Sequence, residues 1–162
     1  MRAFDAAALV GLLSERSLTV STAESCTGGL IAASIVDVAG ASKVFVGGAV
    51  TYAAKTKTSL LGVPEDLIRE KGVVSREVAQ AMAEGARRRF ATDLAVSVTG
   101  VAGPAGGTPE IPVGRVFIGL ASKDKTLVFR EDFSGERDEV RRAAAQTAIR
   151  RLCEYLSDNT KQ

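Results

Sequence analysis

The chain has 162 residues, of which 46% are hydrophobic, and it contains no histidine. Mechanisms that need a histidine base, such as Ser-His-Asp and Cys-His systems, are therefore excluded, as are zinc sites built on imidazole. A net charge of +2 and an aromatic content of 5% also argue against direct binding of nucleic acid, which calls for a basic surface or for stacking platforms.

Length and patterning predict one water-soluble domain over residues 1–162. The apolar stretches are far shorter than the about 18–20 residues of a membrane span. The mixed charges of residues 5–16 indicate an amphipathic first helix and not a secretory signal. Cys26 and Cys153 form neither a disulfide framework nor a metal-ligand pattern, so we expect a cytoplasmic protein with no metal and no cofactor.

Helix and strand patterns alternate through the first part of the chain. A helix over 5–16 is followed by a short buried strand in "SLTVSTA" and by a buried helix "LIAASIV" that should end near Gly40. The next strand, "KVFVGGAVTY", ends at Tyr52. A lysine-bearing segment, "AAKTKTSLLGV", leads to Pro64, which should open a short helix.

The second part of the chain predicts a long helix and then consecutive strands. Ser75 is a suitable N-cap for the helix, and "DLAVSVTGV" should form a central strand. A loop, "AGPAGGTPEIPVG", leads to a hairpin of "RVFIGLAS" and "TLVFREDF", and a last helix begins near Glu136. This order predicts an α/β fold, a three-layer α/β/α sandwich whose mostly parallel sheet has one antiparallel strand.

Ligands of such sheets bind beyond the carboxyl ends of the strands. The turns after the first and third strands, together with Tyr52, should therefore share one rim. Ser25 lies in the first of these turns, where unpaired N–H groups of the next helix could hold an oxyanion. Two alternatives remain open: Ser25 or Thr27 caps the helix, or Cys26 is the nucleophile.

A serine without histidine needs another base, and the nearest candidates are Lys55 and Lys57. A lysine can serve when desolvation keeps it neutral. Tyr52 could relay the proton or orient the serine. The alternative is that both lysines are solvated and that Tyr52 covers an edge of the core.

Two further segments are suited to anions. "TGVAGPAGG" (99–107) offers free backbone N–H groups, and Thr99 should face the same rim as Ser25. Arg137 and Arg141 lie one turn apart near the start of the last helix, where a guanidinium can hold phosphate. The alternatives are a flexible crossover and surface salt bridges.

These stretches together resemble the C-terminal domain of the CinA family, the competence/damage-inducible proteins, whose stand-alone members include nicotinamide mononucleotide amidohydrolases. The resemblance covers nearly the whole chain and rests on six blocks in order: "AESCTGG" (23–29), "GGAVTYAAKTKTSLLGV" (47–63), "GVVSREVAQAMAEGAR" (72–87), "SVTGVAGPAGG" (97–107), "PVGRVFIGL" (112–120) and "FSGERDEVR" (133–141). It implies that the larger N-terminal domain of full-length members is not part of this chain.

The resemblance implies hydrolysis of the carboxamide of nicotinamide mononucleotide to nicotinate mononucleotide and ammonia. It implies Ser25 as nucleophile and Lys57 as base, with Tyr52 and Thr99 as further catalytic residues. Substrate and phosphate would be bound by glycines and an arginine, namely Gly28, Gly29, Gly100, Gly103, Gly106 and either Arg137 or Arg141. We expect a small-molecule nucleotide as partner and a homo-oligomer; the alternative function is a non-catalytic nucleotide- or partner-binding module.

Overall fold

A computed structural model describes residues 5–158. Its strands are β1 (Val20–Glu24), β2 (Phe45–Val50), β3 (Leu94–Gly100), β4 (Arg115–Ala121) and β5 (Thr126–Asp132). Its helices are α1 (Ala6–Glu15), α2 (Leu30–Val36), α3 (Ala54–Leu61), α4 (Glu65–Lys71), α5 (Arg76–Phe90) and α6 (Arg137–Asp158), with a short 3-10 turn at Ala41–Lys43.

The five strands form one sheet in the order β2-β1-β3-β4-β5. Strand β1 lies parallel to both β2 and β3, whereas β4 is antiparallel to β3 and to β5. Within residues 5–158, β4 is thus the one strand that runs against the others, as predicted. The connections explain this, because β4 follows β3 through a loop without a crossover helix and is joined to β5 by a short hairpin, whereas β1, β2 and β3 are joined by helical crossovers.

Helices cover both faces of the sheet. On one face α1, α2 and α6 bury residues such as Leu9, Ile35 and Leu152. On the other, α5 packs across the strands with α3 and α4, and its Val78 and Met82 are buried at helical spacing. The three-layer α/β/α sandwich is confirmed. No helix in the described range is both long and apolar enough to span a bilayer.

Several element ends agree with the sequence prediction and others do not. The Ser75 side chain accepts a hydrogen bond from the N–H of Val78 and so caps α5. Helix α2 ends at Val36, before the predicted Gly40, and β2 ends at Val50, two residues before Tyr52.

The segment after β2 forms helix α3, which the sequence analysis left unassigned. Its two buried side chains are Lys57 and Leu61, four residues apart on one face. The helix follows directly on the end of β2, so its inward face lies beside the rim of the sheet. Pro64 lies just ahead of α4, at its N-cap.

Candidate functional site

The carboxyl ends of β1 and β3 meet at a cleft of about 270 Å³. It is lined by Ser25, Cys26, Tyr52, Lys57, Val73, Val74, Thr99, Gly100, Val101, Ala102, Gly103, Ala105, Gly106 and Arg137. The two glycine-bearing turns and Tyr52 therefore share one rim, as the topology predicts. These lining residues include two basic side chains and no acidic one.

Ser25 and Lys57 form the chemical centre of the cleft. The Nζ of Lys57 lies 3.1 Å from the Oγ of Ser25 and donates to the carbonyl oxygen of Thr51 at 2.6 Å. Lys57 is 1% exposed and Ser25 is 8% exposed. The serine hydroxyl therefore lies between the cleft and a buried amine.

Burial lowers the pKa of Lys57 from its ordinary value of 10.5, since the low-dielectric interior disfavours the ammonium form. The nearby Cys26 acts weakly in the opposite direction. Lys55 is exposed and does not line the cleft. Of the two candidate bases, Lys57 is the one that contacts Ser25.

The thiol of Cys26 is buried beside Ser25. Desolvation raises its pKa to about 11, although Arg141 and Lys57 act to lower it. A thiol with this pKa stays protonated at neutral pH and is a poor nucleophile. This environment favours Ser25 over Cys26.

Glu24 caps helix α2, a role that the sequence analysis gave to Ser25 or Thr27. Its carboxylate accepts hydrogen bonds from the N–H groups of Gly29 at 3.0 Å, Ile31 at 3.1 Å and Ala32 at 2.9 Å. Both capping alternatives are therefore wrong. The expectation that these first helical N–H groups are free to hold an oxyanion is wrong as well, because a buried acid already occupies them.

Gly28 and Gly29 shape the turn that follows the serine. Their φ angles of 59° and 99° lie in the left-handed region, which only glycine adopts readily. Neither glycine lines the cleft, and the N–H of Gly29 is bound by Glu24. The structure brings Gly100, Gly103 and Gly106 to the cleft, but these two serve the turn.

Arg137 and Tyr52 stand at the mouth of the cleft. One guanidinium nitrogen of Arg137 lies 3.1 Å from the Tyr52 hydroxyl, and another donates to the carbonyl of Gly103 at 2.7 Å. Tyr52 is 64% exposed. Its hydroxyl is thus paired with Arg137 and not with the Ser25–Lys57 couple.

Arg141 faces the turn after β1, residues 25–29, from α6. Its guanidinium donates to the carbonyl oxygens of Cys26 at 2.9 Å and Thr27 at 3.0 Å. It is absent from the cleft lining, whereas Arg137 is part of it. Of the two arginines, Arg137 is therefore the one placed to meet a ligand.

Thr99 lies at the end of β3 and is 1% exposed. Its hydroxyl donates to the carbonyl of Val73 at 2.7 Å. This bond ties the strand end to the segment that precedes α5, and both residues line the cleft.

A larger cleft of about 440 Å³ lies between α1 and α6 and includes Ser34 and Gln146. The Ser34 hydroxyl donates to the carbonyl of Leu30 on the same helix, α2, and no lysine lines this cleft. Within residues 5–158, no group of three or more His, Cys, Asp or Glu side chains is arranged to hold a metal.

Three residues that hydrogen-bond to the site, Thr51, Val73 and Glu24, were not identified by the sequence analysis. Thr51 and Val73 contribute backbone carbonyls, which leave no mark on a residue pattern. For Glu24 the sequence offers only a weak indication: it is a single acidic residue at the end of a buried strand, next to a glycine-containing turn.

Comparisons with known proteins identify the family of this chain. A family model of the CinA C-terminal domain matches residues 4–156. CinA-like proteins of Citrifermentans bemidjiense and Geobacter sulfurreducens are 54% identical over 145 residues and 52% identical over 142 residues. These alignments cover 90% and 88% of this chain but only 35% and 34% of the relatives, so the chain spans about a third of their length.

Solved structures share the whole fold. The crystal structure of competence/damage inducible protein CihA from Agrobacterium tumefaciens has a TM-score of 0.90 and 38% identity, and the match covers 97% of each chain. A CinA superfamily protein from Escherichia coli has a TM-score of 0.87 and 30% identity, with 95% of this chain and 92% of that chain covered. The chain therefore belongs to the family of the CinA C-terminal domain.

Proposed function

We propose that this domain hydrolyses the carboxamide of nicotinamide mononucleotide, with Ser25 as nucleophile and Lys57 as general base. The observation that carries the proposal is the 3.1 Å contact between the Ser25 hydroxyl and an amine that is 1% exposed. A desolvated amine has a lowered pKa, and a neutral amine can accept the proton of an attacking hydroxyl.

The surroundings of Lys57 suit this role. The carbonyl of Thr51 accepts one N–H of the amine at 2.6 Å. This bond orients the neutral amine so that its lone pair can face Ser25. The Ser25 hydroxyl then donates its proton to Lys57 while its oxygen attacks the carboxamide carbon.

The reaction then proceeds in two halves. Lys57 returns the proton to the departing nitrogen, ammonia leaves and an ester to Ser25 remains. Water then attacks the ester and gives a proton to the same amine, which passes it to the Ser25 oxygen, so one amide and one water give one carboxylate and one ammonium ion. For the oxyanion we propose the N–H of Cys26, because in serine hydrolases the residue after the nucleophile supplies such a donor.

The charge of the cleft supports an anionic substrate. Arg137 lies at the mouth and no acidic side chain lines the cleft. We assign the 5′-phosphate to Arg137 and the N–H groups of loop residues 102–107, and the carboxamide to the inner end at Ser25. Tyr52 would then position substrate beside Arg137, since its hydroxyl already pairs with that guanidinium.

The test is ammonia release from nicotinamide mononucleotide by the wild type and by Ser25→Ala. We expect the substitution to lower kcat by at least about 1000-fold with an unchanged fold. Ser59→Ala is the matched control, because Ser59 is exposed on α3. Equal rates for Ser25→Ala and the wild type would refute the assignment.

Calorimetry with the same ligand distinguishes the hydrolase from the alternative function, a non-catalytic nucleotide- or partner-binding module. The relatives' names speak of competence and damage and not of an activity. Binding heat without ammonia from the wild type would favour that module over the hydrolase.

A further inference from the structure

We propose that Glu24 and Arg141 are positioning residues that clamp the nucleophile turn, residues 25–29, and thereby keep Ser25 in contact with Lys57. The proposal rests on the proposed function, in which Ser25 is the nucleophile. It concerns two charged side chains that lie outside the cleft lining and that the proposed chemistry does not use.

Glu24 holds the turn through its N–H side. The side chain is 1% exposed, and its two carboxylate oxygens accept from Gly29, Ile31 and Ala32. No ion pair between described residues includes Glu24. Its charge is therefore met by backbone N–H groups at the positive end of α2.

Arg141 holds the same turn through its carbonyl side. Its Nε donates to Cys26 O at 2.9 Å and its Nη2 to Thr27 O at 3.0 Å. A planar guanidinium suits this task, because it presents two parallel donors in a fixed geometry. The turn is thus held by an anion at the N–H of Gly29 and at the first N–H groups of α2, and by a cation at the carbonyls of Cys26 and Thr27.

The backbone contacts of Ser25 complete the restraint. Its N–H donates to Val98 O at 3.0 Å, and its carbonyl accepts from the N–H of Gly28 at 3.0 Å. Lys57 is held by the carbonyl of Thr51. The Ser25–Lys57 separation therefore depends on two anchors, of which the clamp is one, and the N–H of Thr51 links them by donating to the carbonyl of Glu24 at 2.8 Å.

The position of the capping residue, Glu24, connects the start of α2 to Ser25. Helices are ordinarily capped by a side chain at the N-cap position, but the N-cap of α2 is Gly29, which has none. The capping group comes instead from the residue just before the nucleophile. A shift of the turn by about 1 Å would cost about 100-fold in rate.

The experiment compares Glu24→Gln and Arg141→Lys with the wild type. Glutamine keeps the shape but replaces one acceptor oxygen with an NH2 donor that faces backbone donors. Lysine keeps the charge but loses the second parallel donor. Glu15→Gln and Arg142→Lys are matched controls, since Glu15 is exposed on α1 and Arg142 is exposed beside Arg141 on α6.

Two readouts are needed, at a temperature where each variant is folded. In crystal structures we expect the Ser25 Oγ–Lys57 Nζ separation to exceed about 3.5 Å in both variants, beyond hydrogen-bond range. In kinetics we expect kcat for ammonia release to fall by about 10–100-fold while KM stays within about twofold. A purely stabilising role would lower the melting temperature and leave kcat of the folded protein unchanged.

The crystal readout needs no substrate, so it separates this proposal from the proposed function. A widened separation in a chain whose wild type releases no ammonia keeps the clamp and refutes the hydrolase. An unchanged separation in the variants overturns the clamp even if the wild type is an amidase, and so does an unchanged kcat in an active enzyme. If Glu24→Gln does not fold, Arg141→Lys decides from the opposite side of the turn.

Discussion

Replacing Lys57 with methionine tests two properties of this buried amine: what its burial costs in folding stability and what it contributes to the proposed reaction. The two side chains have similar lengths, and the lysine is 1% exposed. Folding lowers the pKa of Lys57 below 10.5, whereas the unfolded chain keeps the ordinary value. Between the two pKa values the unfolded wild type binds more protons than the folded one, so wild-type stability rises with pH in this window.

The magnitude follows from linkage. The difference in unfolding free energy, wild type minus Lys57→Met, should rise with a slope of up to about 1.36 kcal/mol per pH unit between the folded and unfolded pKa values. Above pH 10.5 it reaches its maximum, because both states then hold a neutral amine. There the variant still leaves the carbonyl of Thr51 without its donor, at a cost of about 1–3 kcal/mol.

The assay is urea unfolding from about pH 6 to about pH 11, with ammonia release measured in parallel. Lys55→Met is the control, because Lys55 is exposed on the same helix and does not line the cleft. We expect Lys57→Met to lower kcat by about 10²–10⁴-fold. Parallel stability curves for wild type and Lys57→Met would show that the folded pKa is not lowered and would refute the reasoning.

Three further substitutions test the site and the packing of α5 against α3. Cys26→Ala should keep ammonia release within about threefold, because a thiol of pKa about 11 is protonated at neutral pH; a 100-fold loss would move the nucleophile to sulfur. Arg137→Gln should raise KM for nicotinamide mononucleotide by about 10–100-fold and leave kcat nearly unchanged, as loss of a charge-assisted contact predicts; an unchanged KM would place the phosphate elsewhere. Gly85→Ala should lower the unfolding free energy by about 1–3 kcal/mol, since its Cβ would overlap the carbonyl of Leu61 on α3, whereas Gly11→Ala meets no atom within 4 Å and should not; thermal unfolding of both variants measures the contrast.

Much of the fold was predictable because its core obeys simple periodicity. Val78 and Met82 recur at helical spacing, and the hairpin of β4 and β5 follows from two apolar strands around a short polar turn. Helix α3 was not predictable in the same way. Of its two buried residues one is Lys57, and a pattern search counts a lysine as a surface residue.

The candidate site was predictable where it depends on topology. Parallel strands bring their carboxyl ends to one edge, so Ser25, Tyr52 and Thr99 could be placed on one rim without coordinates. The role of Arg141 depends on a contact with Cys26 across more than a hundred residues, and no local pattern encodes it. The prediction that the first N–H groups of α2 hold the oxyanion was wrong, because Glu24 already accepts hydrogen bonds from them.

The arrangement of the cleft sets a geometric demand on its substrate. Ser25, the proposed nucleophile, and the buried amine of Lys57 lie at the inner end, where Ser25 is only 8% exposed, while Arg137 and the exposed ring of Tyr52 stand at the mouth. Under the proposed function, a ligand that satisfies both ends carries an amide at one end and an anionic group at the other. Desolvation lowers the pKa of Lys57, so a substrate that fills the cleft and excludes water from the amine should favour the proposed proton transfer. We therefore infer that simple amides without the anionic group react slowly even at saturation, because they leave the mouth open to water.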